Sequence, residues 1–325
     1  MTPEQFELAI RLDSIFAPSL RGRRDALYNK QKQAKFVHYT SAEAALSIIN
    51  TKRMWMRNTT CMSDYREVNH GFDLLKDFFA DKTNENKFFN ALNSCSPNIA
   101  KDAIILFDQW WSNIQSNTYI ASISEHDDKE DTHGRLSMWR AYGGNSARVA
   151  IVFNIPWFSN AGTALNITFS PVAYLKKDEV YAEINAVINN VENNREFLSS
   201  VDRPMLLGTI FNMLLAGVTC LKHEGFGEER EWRVLYAPQR SPSPLIKQAT
   251  EIISGIPQIV YKLPLDVAVS STLAELDLSH IFNRLIIGPS PYPFAQYGAF
   301  VDALTKAGVP NAGDRVFVSG IPIRT

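Results

Sequence analysis

The chain has 325 residues, 45% hydrophobic and 21% charged, with a net charge of −1. That composition supplies a core for one large or two small domains, and it lacks the strong basic excess of a dedicated nucleic-acid binder. Three scattered cysteines, Cys61, Cys95 and Cys220, exclude a disulfide framework, and the absence of any CxxC pair excludes a zinc ribbon. The N-terminus is amphipathic, without the basic start and apolar run of a signal peptide. No stretch is long and apolar enough to span a membrane, so a cytoplasmic protein is expected.

In chain order, residues 1–20 read as a helix from the spacing of Phe6, Ile10, Leu12, Ile15 and Phe16. A basic stretch follows, with Arg21, Arg23, Arg24, Lys30, Lys32 and Lys35. It is either a solvated linker or a phosphate-binding arm. Residues 1–33 therefore form an N-terminal segment, and residues 34–325 a single α+β domain. Phe36 to Thr40 reads as a strand, Ser41 as the N-cap of the next helix, and Met54-Trp55-Met56 as a second strand.

Helical insertions are expected near 67–115 and 177–222, the second as two helices. Tyr119 to Ser124 alternates as a half-buried strand does. Leu136 to Tyr142 is a short helix stopped by Gly143-Gly144. Arg148 to Phe153, Pro171 to Leu175, Glu229 to Tyr236, Gln258 to Leu263, Arg284 to Ile287 and Arg315 to Val318 read as further strands. Residues 237–256 read as loop and Pro293 to Ala307 as a helix. Strands interleaved irregularly with helices imply α+β architecture. Neither GxGxxG nor GxxxxGK(S/T) occurs, so no Rossmann or P-loop site is indicated.

Three strands carry polar, reactive residues: His38-Tyr39-Thr40-Ser41, Ser122-Ile123-Ser124 and Glu229-Arg230-Glu231-Trp232-Arg233. On a strand, Glu229, Glu231 and Arg233 share one face while Arg230, Trp232 and Val234 share the other. Two carboxylates so placed need a cation or ligand hydroxyls between them, and Arg233 is a candidate. The same spacing also suits a surface salt-bridge ladder. His38 alone also suits a structural histidine, and Tyr39, Trp139 and Tyr142 core or rim aromatics. Asp64 suits a helix N-cap. A metal site from His38, Asp64, Glu67 and His70 matches no ligand spacing. The absence of GxSxG removes the nucleophile elbow of a serine triad, and apolar neighbours mark Cys220 as an inert thiol.

The ordered set FVHYTS (36–41), MWM (54–56), MSD with Glu67, SMWRAYGG (137–144), RVAIVF (148–153) and KHEGFGEEREWRVL (222–235) resembles the bacterial family DUF2971, a domain of unknown function. The layout is also similar to that of ADP-ribosyltransferases. That second resemblance implies a split, mixed β-sheet core and NAD as substrate. It also implies Glu231 as catalytic carboxylate with Glu229 two residues before it, and His38 at the first-strand position. His38, Tyr39, Thr40, Arg57, Ser122, Ser124, Trp139 and Tyr142 form the implied cofactor-binding set, with Ser122 or Ser124 positioning Glu231 and Arg57 or Arg140 at the pyrophosphate. No metal is implied. The pattern mixes the Arg-Ser-Glu and His-Tyr-Glu subclasses, since Tyr39 follows His38 directly.

The resemblance implies a bacterial toxin or anti-phage effector, with a nucleic acid or a protein as acceptor and an antitoxin as possible partner. The basic stretch tilts that expectation toward nucleic acid. Two alternatives stand beside it: a non-catalytic binding or regulatory module, and a metal-independent nuclease with His38 and Glu231 as acid and base.

Overall fold

The structure is a computed structural model that describes residues 2–28, 33–62, 67–142, 147–157 and 159–321. Asp64 and Lys30 and Lys32 of the basic stretch lie outside the described residues, as does the side chain of Glu67. In chain order the elements are α1 (Pro3–Phe16), α2 (Pro18–Tyr28), β1 (Gln33–Ser41), α3 (Ala42–Thr51), β2 (Arg53–Asn58), α4 (Glu67–Ala80), α5 (Lys82–Cys95) and α6 (Ile99–Asn117). There follow β3 (Tyr119–Glu125), α7 (Leu136–Ala141), β4 (Arg148–Pro156), α8 (Asn160–Leu165), β5 (Thr168–Pro171), β6 (Ala173–Tyr174), α9 (Lys177–Asn193), α10 (Arg195–Ser200) and α11 (Arg203–Thr219). The chain closes with β7 (Leu221–Lys222), β8 (Glu231–Tyr236), β9 (Lys247–Ile253), β10 (Ile256–Pro264), α12 (Leu278–Ile281), β11 (Phe282–Ile287), α13 (Pro293–Lys306) and β12 (Val316–Val318).

Local chemistry sets many of these boundaries. Thr2 and Gln5 form a capping box on α1, Ser41 caps α3 through the Ala44 N–H, and Asp202 caps α11. The single helix read over residues 1–20 is broken at Ala17, because the residue before Pro18 is pushed out of helical geometry. The second insertion holds three helices, not two.

The stretch 237–256, read as loop, contains β9. This strand forms a hairpin with β10 through Ser254 and Gly255, both at positive φ, the backbone of a two-residue type I′ turn. Its alternation escapes a hydrophobicity reading because β9 is a sheet edge, where the residues between Lys247 and Ile253 are exposed or half-buried.

Ten strands form one mixed sheet in the order β12-β11-β4-β1-β3-β2-β10-β9, with β8 and then β5 joined to β3. Its pairs are antiparallel except β11 with β12. β3 is the branch point. Residues 119–124 pair with residues 236–231 of β8 along one edge. On the opposite edge its first residues pair with Asn58 and Arg57 of β2, and its last with Val37 and Phe36 of β1. β1 and β2 thus diverge from a shared edge and leave a fork beside Ser122.

One face of the sheet packs the main core, in which Phe36, Trp232 and Phe169 stack edge-on or tilted around one another. The two helical insertions join in a second core: Phe78, Phe88, Ile99, Val187, Ile210 and their neighbours bury one another, with Leu12 and Phe16 of α1 added. Where α4 crosses α11, Gly71 is required by contact. A Cβ there would stand 2.5 Å from the Gly217 carbonyl oxygen and 2.8 Å from the Val218 Cα.

The basic stretch is mostly a helix whose arginines turn inward. Arg23 pairs with Glu125 and donates to the Val172 carbonyl, Arg24 donates to the Phe169 carbonyl, and Arg21 pairs with Asp25. Lys35 pairs with Asp128 and Asp131. Arg21, Arg23, Arg24 and Lys35 thus have partners within the chain.

Two glycines of similar helical setting should therefore behave oppositely. Gly71→Ala forces two backbones apart and should cost about 1–3 kcal/mol. Gly22→Ala, where an added Cβ meets nothing within 4 Å, should gain about 0.5–1 kcal/mol. Urea denaturation of both variants checks this; equal stabilities would refute the close crossing.

Candidate functional site

The pairing register places Ser124 opposite Glu231 and Ser122 opposite Arg233, with Ser170 of β5 opposite Arg233 on the far side. Directly opposed residues share a face, so Ser122, Ser124, Ser170, Glu231 and Arg233 make a polar patch on the face away from Trp232. The Ser122 hydroxyl donates to Glu231 Oε1 at 2.5 Å. Arg233 Nε donates to the same oxygen at 2.9 Å and its Nη2 to Oε2 at 3.2 Å. Arg233 Nη1 donates to the Thr219 carbonyl at 2.6 Å.

β8 begins at Glu231, two residues later than the alternation suggested. Glu229 ends a 3₁₀ turn, and Arg230 takes a left-handed conformation at φ 46° before the strand starts. Glu229 therefore does not reach the site as a strand neighbour of Glu231. The two carboxylates meet instead through Lys222 of β7, whose ammonium lies 2.7 Å from Glu229 Oε2 and 3.4 Å from Glu231 Oε2. The cation between them is Lys222, with Arg233 on the other side of Glu231. Arg230 faces away and pairs with Glu130.

Two tyrosines close the cluster. The Tyr142 hydroxyl donates to Glu229 Oε1 at 2.9 Å, and the Tyr174 hydroxyl accepts the Glu231 N–H at 2.8 Å. Burial raises the Tyr142 phenol, and neighbouring Glu229 raises it further, so it stays a donor. Burial also pushes the Tyr174 phenol up to about 12. Burial acts to raise the Glu231 carboxyl, but Arg233, then Lys222 and Ser122, outweigh it and hold the group below the usual carboxylate range. Glu231 is 4% exposed and ionised at neutral pH.

His38 joins from the fork. Glu125 sends its N–H toward β8, so alternation turns the backbone of Ser122 toward the gap between β1 and β2. His38 Nδ1 lies 3.0 Å from the Ser122 carbonyl oxygen. A carbonyl accepts only, so Nδ1 carries the proton and Nε2 keeps its lone pair. Burial, opposed by that bond, lowers the imidazole below its ordinary value and keeps it neutral. By register His38 sits on the Phe36 face of β1, while Val37 and Tyr39 share the face of Glu231. The imidazole and the carboxylate are thus joined through one residue, Ser122, and do not project side by side.

The other sequence candidates are dispersed. Tyr39 and Trp139 are core residues in edge contact at 4.8 Å, and Trp139 is fully buried. The Tyr39 hydroxyl accepts the Arg135 N–H at 2.7 Å, and burial pushes its phenol up to about 12. Gly134, at φ 66°, leaves room for the Trp139 indole, which a Cβ would meet at 2.7 Å. Thr40 pairs with Val149 at the far end of β1. Arg57 shares a strand pair with Ile120, but its guanidinium is held by Gln258 Oε1 and the Cys61 carbonyl. Arg140 is exposed on α7.

Sequence reasoning passed over Lys222 and Tyr174. The available signal was a lysine closing the apolar run Leu214 to Leu221, since a cation at the end of a buried segment needs an anion. Among the described residues, no group of three or more His, Cys, Asp and Glu side chains is placed to hold a metal ion. No helix there is long and apolar enough to cross a membrane.

Residues 138–234 match a family model described as a protein of unknown function (DUF2971). The matched span holds Tyr142, Tyr174, Lys222, Glu229, Glu231 and Arg233, and leaves His38 and Ser122 outside. No curated protein and no solved structure matches the chain.

Removing the Glu231 charge leaves Arg233 buried beside a neutral group, while Lys222 keeps Glu229. Glu231→Gln should cost about 3–5 kcal/mol, and Ser122→Ala about 1.5–3 kcal/mol, both read by urea denaturation. Acid acts in the same direction. His38 and Glu231 both have depressed folded values, so their contributions are full above the unfolded values of 6.5 and 4.5 and are lost as pH falls through the folded ones. Stability should decline as pH falls below about 6.5 on account of His38. His38→Gln, which can still donate to the Ser122 carbonyl, should flatten that slope; an unchanged slope counts against the neutral imidazole.

Proposed function

We propose that the Ser122–Glu231 centre transfers ADP-ribose from NAD to a macromolecular acceptor, a protein or a nucleic acid. The observation that carries the reading is the 2.5 Å hydrogen bond by which Ser122 aims Glu231, with His38 on the carbonyl of the same serine. Cleaving the nicotinamide–ribose bond builds positive charge on the ribose, as in glycoside hydrolysis. A preorganised carboxylate stabilises that charge only if it is ionised when substrate binds. Arg233 and Lys222 keep Glu231 so.

The carboxylate already receives four donor contacts, from Ser122 Oγ, Arg233 Nε and Nη2, and Lys222 Nζ. A substrate hydroxyl must displace one of them. Lys222 is the longest contact at 3.4 Å and retains Glu229 at 2.7 Å, so it is the donor that yields. Tyr142, one-third exposed and bonded to Glu229, stands over this exchange and supplies a flat wall for the departing nicotinamide. The antitoxin and the toxin or anti-phage role remain part of the same proposal, resting on resemblance alone.

The saturation and burial of Glu231 favour a second reading, in which the cluster is structural and the chain a binding module. The two separate in one assay. Purified full-length protein is incubated with labelled NAD and cell lysate, and label transfer and nicotinamide release are followed. Glu231→Gln, shown to be folded by circular dichroism at the assay temperature, should lower both by about 10²–10³-fold. No transfer or release by the wild type leaves the module reading; nucleic-acid cleavage without NAD identifies a nuclease.

A further inference from the structure

A partly open cavity of about 1000 Å³ lies between the N-terminal helices, α6, α11 and the ends of β5 and β8. Its size is at the upper end for small-molecule sites. Its walls are mainly apolar, including Leu8 and Phe16 of α1, Ile114 of α6, Met213 of α11 and Trp157 after β4. Met205, 44% exposed, also lines it. His38, Glu229 and Glu231 do not line it; it comes nearest the carboxylate cluster at Ser170 and Thr219, which adjoin Arg233.

The charges on its walls are unequal. Arg24 donates to the Phe169 carbonyl and has Asp13 within electrostatic reach. Arg240 has no such anion. Its guanidinium lies 4.1 Å from the centre of the Phe211 ring and donates to Asn212 Oδ1 at 2.9 Å, and no described carboxylate pairs with it. Burial alone holds it below its ordinary value, with nothing offsetting the cost. A half-buried guanidinium on a wall of an apolar cavity, oriented by a ring and an amide, has donors left for a planar or tetrahedral anion. The apolar walls ask for a hydrophobic body attached to that anion.

We infer that this cavity binds a single-chain amphipathic anion, its apolar body lying between α1 and α11 and its carboxylate or phosphate head on Arg240. The inference stands independently of the transfer reaction, because none of that site's proposed reacting groups is involved.

Isothermal titration of the full chain with dodecanoate, dodecyl phosphate and dodecyltrimethylammonium, each below its micellar concentration, tests it. One anion per chain should bind, and the tighter of the two anions identifies the head group. Arg240→Gln should weaken that binding by about ten- to a hundredfold. Gly162 lines the cavity, and a Cβ there meets nothing within 4 Å, so Gly162→Trp should narrow the space and weaken binding. Thermal unfolding verifies each variant; if Arg240→Gln does not fold, Gly162→Trp decides. The inference is overturned if neither anion binds the wild type, if the cationic amphiphile binds as tightly, or if the folded variants bind like the wild type.

Discussion

A strand that serves two diverging neighbours on one edge cannot satisfy all its backbone groups by pairing. β3 is such a strand: β2 takes its beginning and β1 its end, and the Ser122 carbonyl points into the gap between them. A buried carbonyl without a donor is costly, so a side chain must supply one. His38 does, and in doing so is fixed in tautomer and held neutral. The same residue presents its hydroxyl to Glu231. The geometry of the site therefore follows from the topology of the sheet.

The charge cluster beside the fork is expensive to build. Lys222, Glu231 and Arg233 are each nearly inaccessible to water, and two like-charged carboxylates converge on one ammonium. Ion pairs of this kind contribute little net stability compared with apolar packing, but breaking one is severe. Their effect is to specify a single arrangement. Glu229 reaches Lys222 only because Arg230 adopts a left-handed turn, and Arg230 is itself tied to Glu130, which also holds Arg135. Arg135 in turn donates to the carbonyls of Glu125, Glu228 and Glu229. The turn, the start of β8 and the end of β3 are thus one hydrogen-bonded unit.

Much of the site was legible because its residues lie on strands with readable alternation. Ser122 or Ser124 was expected to position Glu231; Ser124 lies opposite it in register and Ser122 donates to its carboxylate. The polar side chains that departed from expectation did so for local reasons. Glu229 lies outside the strand because the residue after it takes positive φ, which arginine does not advertise. Tyr39 and Trp139 belonged to the implied cofactor-binding set, but they stack on each other around Gly134. Arg57, Arg23 and Arg24 resembled anion receptors, but the Gln258 amide holds the first and Glu125 and the carbonyls of Val172 and Phe169 hold the others.

The sequence by itself determined the local units: the caps at Thr2, Ser41 and Asp202, the break before Pro18, the alternating strands and the α+β class. These depend on near neighbours in the chain, whose chemistry is visible in any short window. It also carried the likeness to DUF2971, which the family match confines to residues 138–234. Only the tertiary structure decided that β3 would fork, that Lys222 rather than a strand neighbour would join the two carboxylates, and that Arg23, Arg24 and Lys35 would find partners far along the chain. Each of those outcomes turns on which distant group arrives to neutralise a charge or satisfy a carbonyl. Distances between residues more than a hundred positions apart, such as Ser122 and Glu231, exist only once the strands have paired.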